Sequence, residues 1–149
     1  MPTTLTSTAT KFECLSEDMG KKKHDFSSDT FKLALITSAQ TLTAAGQTVY
    51  ADITGEVANG NGYTTGGATL SNVTYTRTEA VSKFDCDDQV FTATGAITAR
   101  QYVVYNDTHA SKPLVYFGLI KNDNTDVVLA NTETLTFIFN ASGLFTVGA

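Results

Sequence analysis

The sequence has no tryptophan, only two prolines and two cysteines, and a low charged fraction of 17%. Each shortage removes a class of explanation. Cys14 and Cys86 are about 70 residues apart. Neither belongs to a C-x-x-C pair or sits at metal-ligand spacing from a histidine. Two free thiols is the default reading, with a long-range disulfide left open. Basic residues number 10 against 15 acidic ones, giving a formal charge of −5. Phosphate-binding surfaces need clustered Lys and Arg. The one cluster, Lys21-Lys22-Lys23, is diluted by Glu17, Asp18 and Asp25. No nucleic-acid partner is expected. No apolar run approaches the roughly 20 residues of a membrane span, and residues 1–10 lack the apolar run of a signal peptide. A soluble chain made in a reducing cytoplasm, with no membrane partner, is expected.

Threonine and glycine are abundant. A β-branched hydroxyl residue suits a pleated, half-exposed surface better than a helix. A chain of this length buries roughly 68–70% of its unfolded surface, so one domain needs no staple.

Residues 1–10, MPTTLTSTAT, read as a flexible or extended arm. Phe12, Leu15 and Met19 fall at helical spacing, which predicts a short amphipathic helix from Lys11 to about Met19, ended by Gly20. From Asp29 the period becomes two. In FKLALIT, Phe31, Leu33 and Leu35 share one face and Lys32, Ala34 and Ile36 the other, which predicts a strand buried on both faces. Residues 38–66 carry weak order signals and glycines that favour turns, so they read as a long excursion. Strand candidates follow in ATLSNVTYTRT, VSKFDCDDQVFTA, ITARQYVVYN, LVYFGLIK and TLTFIFN. Asn122-Asp123-Asn124-Thr125-Asp126 reads as a hairpin tip. Turn residues between the candidates recur every 8–15 positions. About eight short strands in this rhythm predict an all-β fold, a jelly-roll-like β-sandwich, behind a short N-terminal helix and an extended arm. The division expected is 1–23 for arm and helix and 24–149 for the sandwich.

The chemical candidates are few. A hydrolytic triad needs a nucleophile, a histidine base and an orienting carboxylate, and only His24 and His109 are available. Asp107-Thr108-His109 lies beside Ser111 in a polar turn, and a solvated turn is the simpler account. Asp85-Cys86-Asp87-Asp88 is the most chemical-looking stretch. Asp85, Asp87 and Asp88 are candidate ligands for a hard cation such as Ca²⁺, although the stretch lacks EF-hand order. Aspartates also form turns by bonding their own backbone, which is the ordinary reading. Asn72, Asn106 and Asn140 open chance matches to a glycosylation pattern. No catalytic residue, cofactor or resident metal is expected, and the chain is not read as an enzyme.

Four segments in register resemble a group of small structural proteins of tailed bacteriophages. They are HDFSSDTFKLALITSA at 24–39; Gly62-Tyr63, Gly66-Gly67 and Leu70, similar to GY-x-x-GG-x-x-L; Phe84 to Phe91, similar to F-x-A-D-D-V-x-F; and Thr98-Ala99-Arg100 leading to Val103-Val104-Tyr105-Asn106, similar to T-A-R-x-x-V-I-Y-N. Cys86 and Gln89 depart from the pattern, which counts against a cation in that turn. The resemblance implies a virion component. It looks like the cement or decoration proteins that coat the outside of HK97-type capsids. Its partners would be the major capsid protein and further copies of itself, as a homo-oligomer, dimer or trimer. Residues 1–20 and the 40–66 loop would then make the contacts, and deleting 1–20 should leave a folded protein. A head- or tail-fibre module binding a receptor or glycan is the alternative, with Tyr63, Tyr75 and Tyr105 as stacking candidates. A hydrolase or lyase is a third reading, without a nucleophile–base pair to support it.

Overall fold

The computed structural model describes residues 3–4, 9–139 and 145–148. Strands run in the order β1 (Thr3–Thr4), β2 (Thr10–Lys11), β3 (Phe31–Ile36), β4 (Ala68–Thr69), β5 (Thr74–Thr78), β6 (Val81–Asp85), β7 (Gln89–Thr92), β8 (Ile97–Ala99), β9 (Gln101–Asn106), β10 (Leu114–Leu119), β11 (Val127–Leu129), β12 (Thr134–Phe137) and β13 (Phe145–Gly148). One helix, α1 (Cys14–Gly20), lies between β2 and β3. The fold is all-β, as the period-two pattern predicts.

The centre is a five-stranded antiparallel sheet in the order β2-β10-β9-β3-β4. Three smaller sheets accompany it: β1-β12-β7, β13-β6-β5 and β11-β8. One apolar cluster draws side chains from all four, which gives a sandwich-like arrangement. Its aromatic heart is Phe84, with ring centroids 5.4 Å from Phe26 and Phe31 and 5.3 Å from Phe145. The opposite face of the central sheet buries a second cluster of Ala34, Ile36, Val103, Tyr105, Leu114 and Phe117, joined by Phe12 and Leu42. Two covered faces explain why β3, β9 and β10 lack the apolar–polar alternation of a half-exposed strand. In β3, Phe31, Leu33 and Leu35 serve the first cluster and Ala34 and Ile36 the second, as the alternation requires.

Residues 38–66 form a strap that supplies the second cover. Leu42 is buried against the outer face, with Ala44, Tyr50 and Ile53 packed around it. Isolated bridges tie the strap to the frame at Ile36↔Glu56 and Val49↔Pro113. The Leu42 N–H donates to the buried Gln101 Oε1 at 3.2 Å. The Gln40 side chain closes the strap on itself: its Oε1 accepts from the Thr54 and Gly55 N–H groups at 2.8 and 2.9 Å.

Four expectations change. The helix starts at Cys14 rather than Lys11, because Lys11 pairs with Tyr116 of β10. Gly20 is its last residue, and Lys22, at φ 58, turns the chain away. Phe12 and Leu15 are buried at 2% and 3% exposure. Truncation after residue 20 therefore removes core side chains, and within the expected 1–10 arm Thr3–Thr4 pairs with β12 and Thr10 with β10, while 1–2 and 5–8 lie outside the described residues. ITARQYVVYN is two strands. Ala99 and Tyr102 both face the first cluster, so the alternation slips at Arg100, whose Nε pairs with Asp126 Oδ1 at 2.8 Å. A one-residue slip redirects every later side chain. A similar shift in β10 lets Val115 and Tyr116 both face inward. Lastly, 122–126 is no hairpin tip: β10 pairs with β9, and β11 pairs with β8, so this loop is an excursion between two successive pairings of one ribbon.

Candidate functional site

Each carboxylate of the acidic stretch takes its own partner. Asp85 Oδ1 accepts from the Cys86 N–H at 2.9 Å, Asp87 Oδ2 accepts from Asn72 Nδ2 at 2.6 Å, and Asp88 Oδ1 accepts from the Phe139 N–H at 2.8 Å. The Asp87 N–H donates to the Ser71 carbonyl at 2.9 Å. The stretch joins β6 to β7, which belong to different sheets, and these bonds hold the crossing. No group of three or more potential ligands converges among the described residues. Burial first, and then the carboxylates of Asp85, Asp87 and Asp88, push the Cys86 thiol up to about 12. Burial and Asp18 push Cys14 up to about 11. Both thiols are free and stay protonated at neutral pH, the inert condition for a cysteine. They sit with different clusters, Cys86 within the first and Cys14 against the second.

The turn at 107–112 contains a serine–histidine contact, His109 Nδ1 to Ser111 Oγ at 2.9 Å. The Ser111 N–H also donates to that nitrogen, at 3.2 Å, so it acts as a local turn acceptor. Asp107 faces away from the imidazole toward Lys112 Nζ at 2.7 Å and Lys32 Nζ at 3.4 Å. Histidine and carboxylate are therefore neighbours in sequence without forming a relay.

Asn106 is the polar hub beneath that turn. It is fully buried. Its Nδ2 donates to Asp29 Oδ2 at 2.7 Å and to the Lys23 carbonyl at 3.1 Å, and its Oδ1 accepts from the Thr108 and His109 N–H groups. One side chain thus ties 23–29 to the end of β9. The available signal was a polar residue closing the apolar run QYVVYN. His24 stacks on Phe26 at 5.2 Å beside this hub. Burial pushes its imidazole down to about 4, against the carboxylates of Asp18 and Asp29. In the lysine run, Lys21 pairs with Glu17, and Lys23 Nζ lies 2.7 Å from the buried Asp18, so two of three charges are locally matched.

The motif glycines and tyrosines stitch the strap to the frame. A Cβ at Gly67 (φ +81) would meet the Leu33 carbonyl oxygen at 2.0 Å, and one at Gly62 (φ +90) the Thr92 carbonyl oxygen at 2.3 Å. Only glycine allows these approaches. The Tyr63 hydroxyl donates to Glu56 Oε1 at 2.6 Å and accepts from the Leu35 N–H at 3.1 Å. Glu56 also accepts from the Tyr50 hydroxyl and from the Gly66 N–H at 2.7 Å. The Tyr105 hydroxyl donates to the Gly66 carbonyl at 2.7 Å. Tyr63 and Tyr105 are 2% and 1% exposed, so neither offers a face to a sugar. Tyr75 stays half-buried against Phe26.

The outward face of β7 and β12 was not foreseen. Phe91, Leu135 and Phe137 point inward, leaving Val90, Thr92, Thr134, Thr136 and Ile138 outward, with Thr136 opposite Val90. Val90 and Ile138 are 47% and 49% exposed, and Val128 on β11 is 64% exposed. These five positions carry no charge. Among the described residues, no helix is long and apolar enough to cross a membrane.

Fold and surface define an all-β, sandwich-like protein whose motif residues build the frame and leave a neutral Thr/Val/Ile face on one side. A scan against family models, a search of curated proteins and a search of solved structures find no match to the chain.

Proposed function

We propose that this chain is a virion structural protein, a cement or decoration protein that binds the outside of a capsid shell on a jelly-roll-type sandwich and bridges major capsid subunits. The observation that carries the reading is the neutral face of β7 and β12. Exposed apolar groups set among hydroxyls, with no charge to desolvate, suit burial against another protein surface. The resemblance of the 24–120 region to tailed-phage structural proteins supports it, because those segments are the ones that build the rigid frame. Interfaces of roughly 800 Å² per partner, repeated over many copies, resist internal pressure collectively.

The test is co-sedimentation with capsid shells of the phage that encodes the chain. Wild type should pellet with the shells. Val90→Glu combined with Ile138→Glu should stay in the supernatant while keeping a β-type far-ultraviolet spectrum. Wild type that fails to pellet, or particle density that places the chain in the tail, overturns the proposal.

A further inference from the structure

The free edge of β5 is long, open and self-complementary. At five residues β5 is the longest edge strand among those described. The edge strands β1, β2 and β4 have two residues each, the usual way of blunting an edge. β7, four residues long, has its end covered by the 60–63 turn, where the Thr94 N–H donates to the Asn61 carbonyl at 2.9 Å. Residues 74–78 pair with β6 on one side, and among the described residues no other backbone hydrogen bond reaches them. All but Tyr75 are exposed.

The hairpin to β6 closes through the two-residue turn Glu79-Ala80, between the partners Thr78 and Val81. Residues flanking such a turn exchange hydrogen bonds, and the pairs then alternate along the ladder. Thr74, Thr76 and Thr78 therefore direct their N–H and C=O groups at β6, while Tyr75 and Arg77 direct theirs outward.

We infer that β5 pairs antiparallel with β5 of a second copy, about a two-fold axis at Thr76. In this register all five residues overlap: Thr74 opposes Thr78, Tyr75 opposes Arg77 and Thr76 opposes itself. The outward groups of Tyr75 and Arg77 then meet as hydrogen-bonded pairs, twice over. Threonine pairs are favourable cross-strand neighbours. The exposed Arg77, which has no ion pair among the described residues, comes to lie beside the tyrosine ring of the other copy as a cation–π partner. Centring the pair on Arg77 sets two like charges opposite each other, and centring it on Tyr75 moves Thr78 out of the five-residue overlap. The contact is isologous, so it closes at two copies. It stands independently of capsid binding, since it uses a different strand from the β7–β12 face.

An edge-only contact is small, so its dissociation constant should be on the order of 10⁻⁴ M. Sedimentation between about 10 μM and 1 mM should therefore show a monomer passing into a dimer by mass action. Thr76→Lys places like charges at the axis and should weaken the dimer about tenfold. Arg77→Pro removes an outward donor without touching the β6 ladder and should abolish the dimer. Should either variant unfold, hydrogen exchange on wild type reads the same contact: the Tyr75 and Arg77 amides gain protection at high concentration. A wild type that stays monomeric at about 1 mM, a dimer indifferent to both variants, or exchange at 75 and 77 that ignores concentration overturns the inference.

Discussion

The two faces of the central sheet are sealed by different means. The inner face is covered by other strands, and its cohesion is aromatic: Phe26, Phe31, Phe84, Tyr116 and Phe145 stack edge-on and face-on within one cluster. The outer face is covered by the strap, which offers Leu42, Tyr50 and Ile53 but is held by polar bonds through Gln40, Asp52, Glu56 and Gln101. Apolar burial scales with area and tolerates no cavity. Hydrogen-bonded closure contributes about 1 kcal/mol per bond. The same three strands are therefore protected by a wall of aromatic strands on one side and, on the other, by a hydrogen-bonded strap together with Phe12.

The largest expected effect breaks the wall. Phe84→Ala leaves a cavity amid four rings and should cost about 3–5 kcal/mol, read as a drop in the urea midpoint with little change in slope. A loss under about 1 kcal/mol would show that the inner face is no stiffer than the outer one.

Acid should act next, again on the inner side first. The His24 imidazole is held down to about 4 by burial, against an unfolded value of 6.5. As pH falls from 6.5 toward 4, the unfolded chain binds a proton that the folded chain refuses, so stability is full above 6.5 and is lost across that window. Thermal melting followed from pH 7 to 4 should show this decline, and His24→Phe should flatten it. The strap responds lower. Backbone N–H groups of Thr48 and Val49 hold Asp52 below its ordinary value. Its contribution is present above that value and fades as pH drops through the folded one.

The smallest effect opens the cover alone. Gln40→Ala removes the acceptor of the Thr54 and Gly55 amides and should cost about 1–2 kcal/mol, since amides at this exposed strap can turn to water. Hydrogen exchange should quicken at 54 and 55 while β9 stays protected. Equal quickening in β9 would make strap and sheet one cooperative unit.

Much of the fold was legible in the sequence because a strand buried on two faces writes both faces into its side chains. FKLALIT shows this: its two interleaved sets belong to two separate clusters. The helix could be read from Phe12, Leu15 and Met19, though its start could not, because Lys11 is claimed by a strand partner more than 100 residues away. The acidic stretch looked like a ligand set since proximity in sequence is easily taken for convergence, whereas the chain leaves β6 and crosses to the sheet of β7 through 86–88, and Asp85, Asp87 and Asp88 take three different partners. The neutral face was hidden because Val90 and Ile138 look like core residues until the register of β7 and β12 is known.

The sequence alone determined the longer strands, β3, β5 to β7, β9, β10 and β12, since side-chain period is a local property of extended backbone, whereas two-residue pairings such as β2 carry no period to read. Only the tertiary structure decided which strands pair, where the alternation slips at Arg100 and Val115, and what becomes of the tyrosines and aspartates. Those outcomes depend on partners tens of residues away, and no local pattern encodes them.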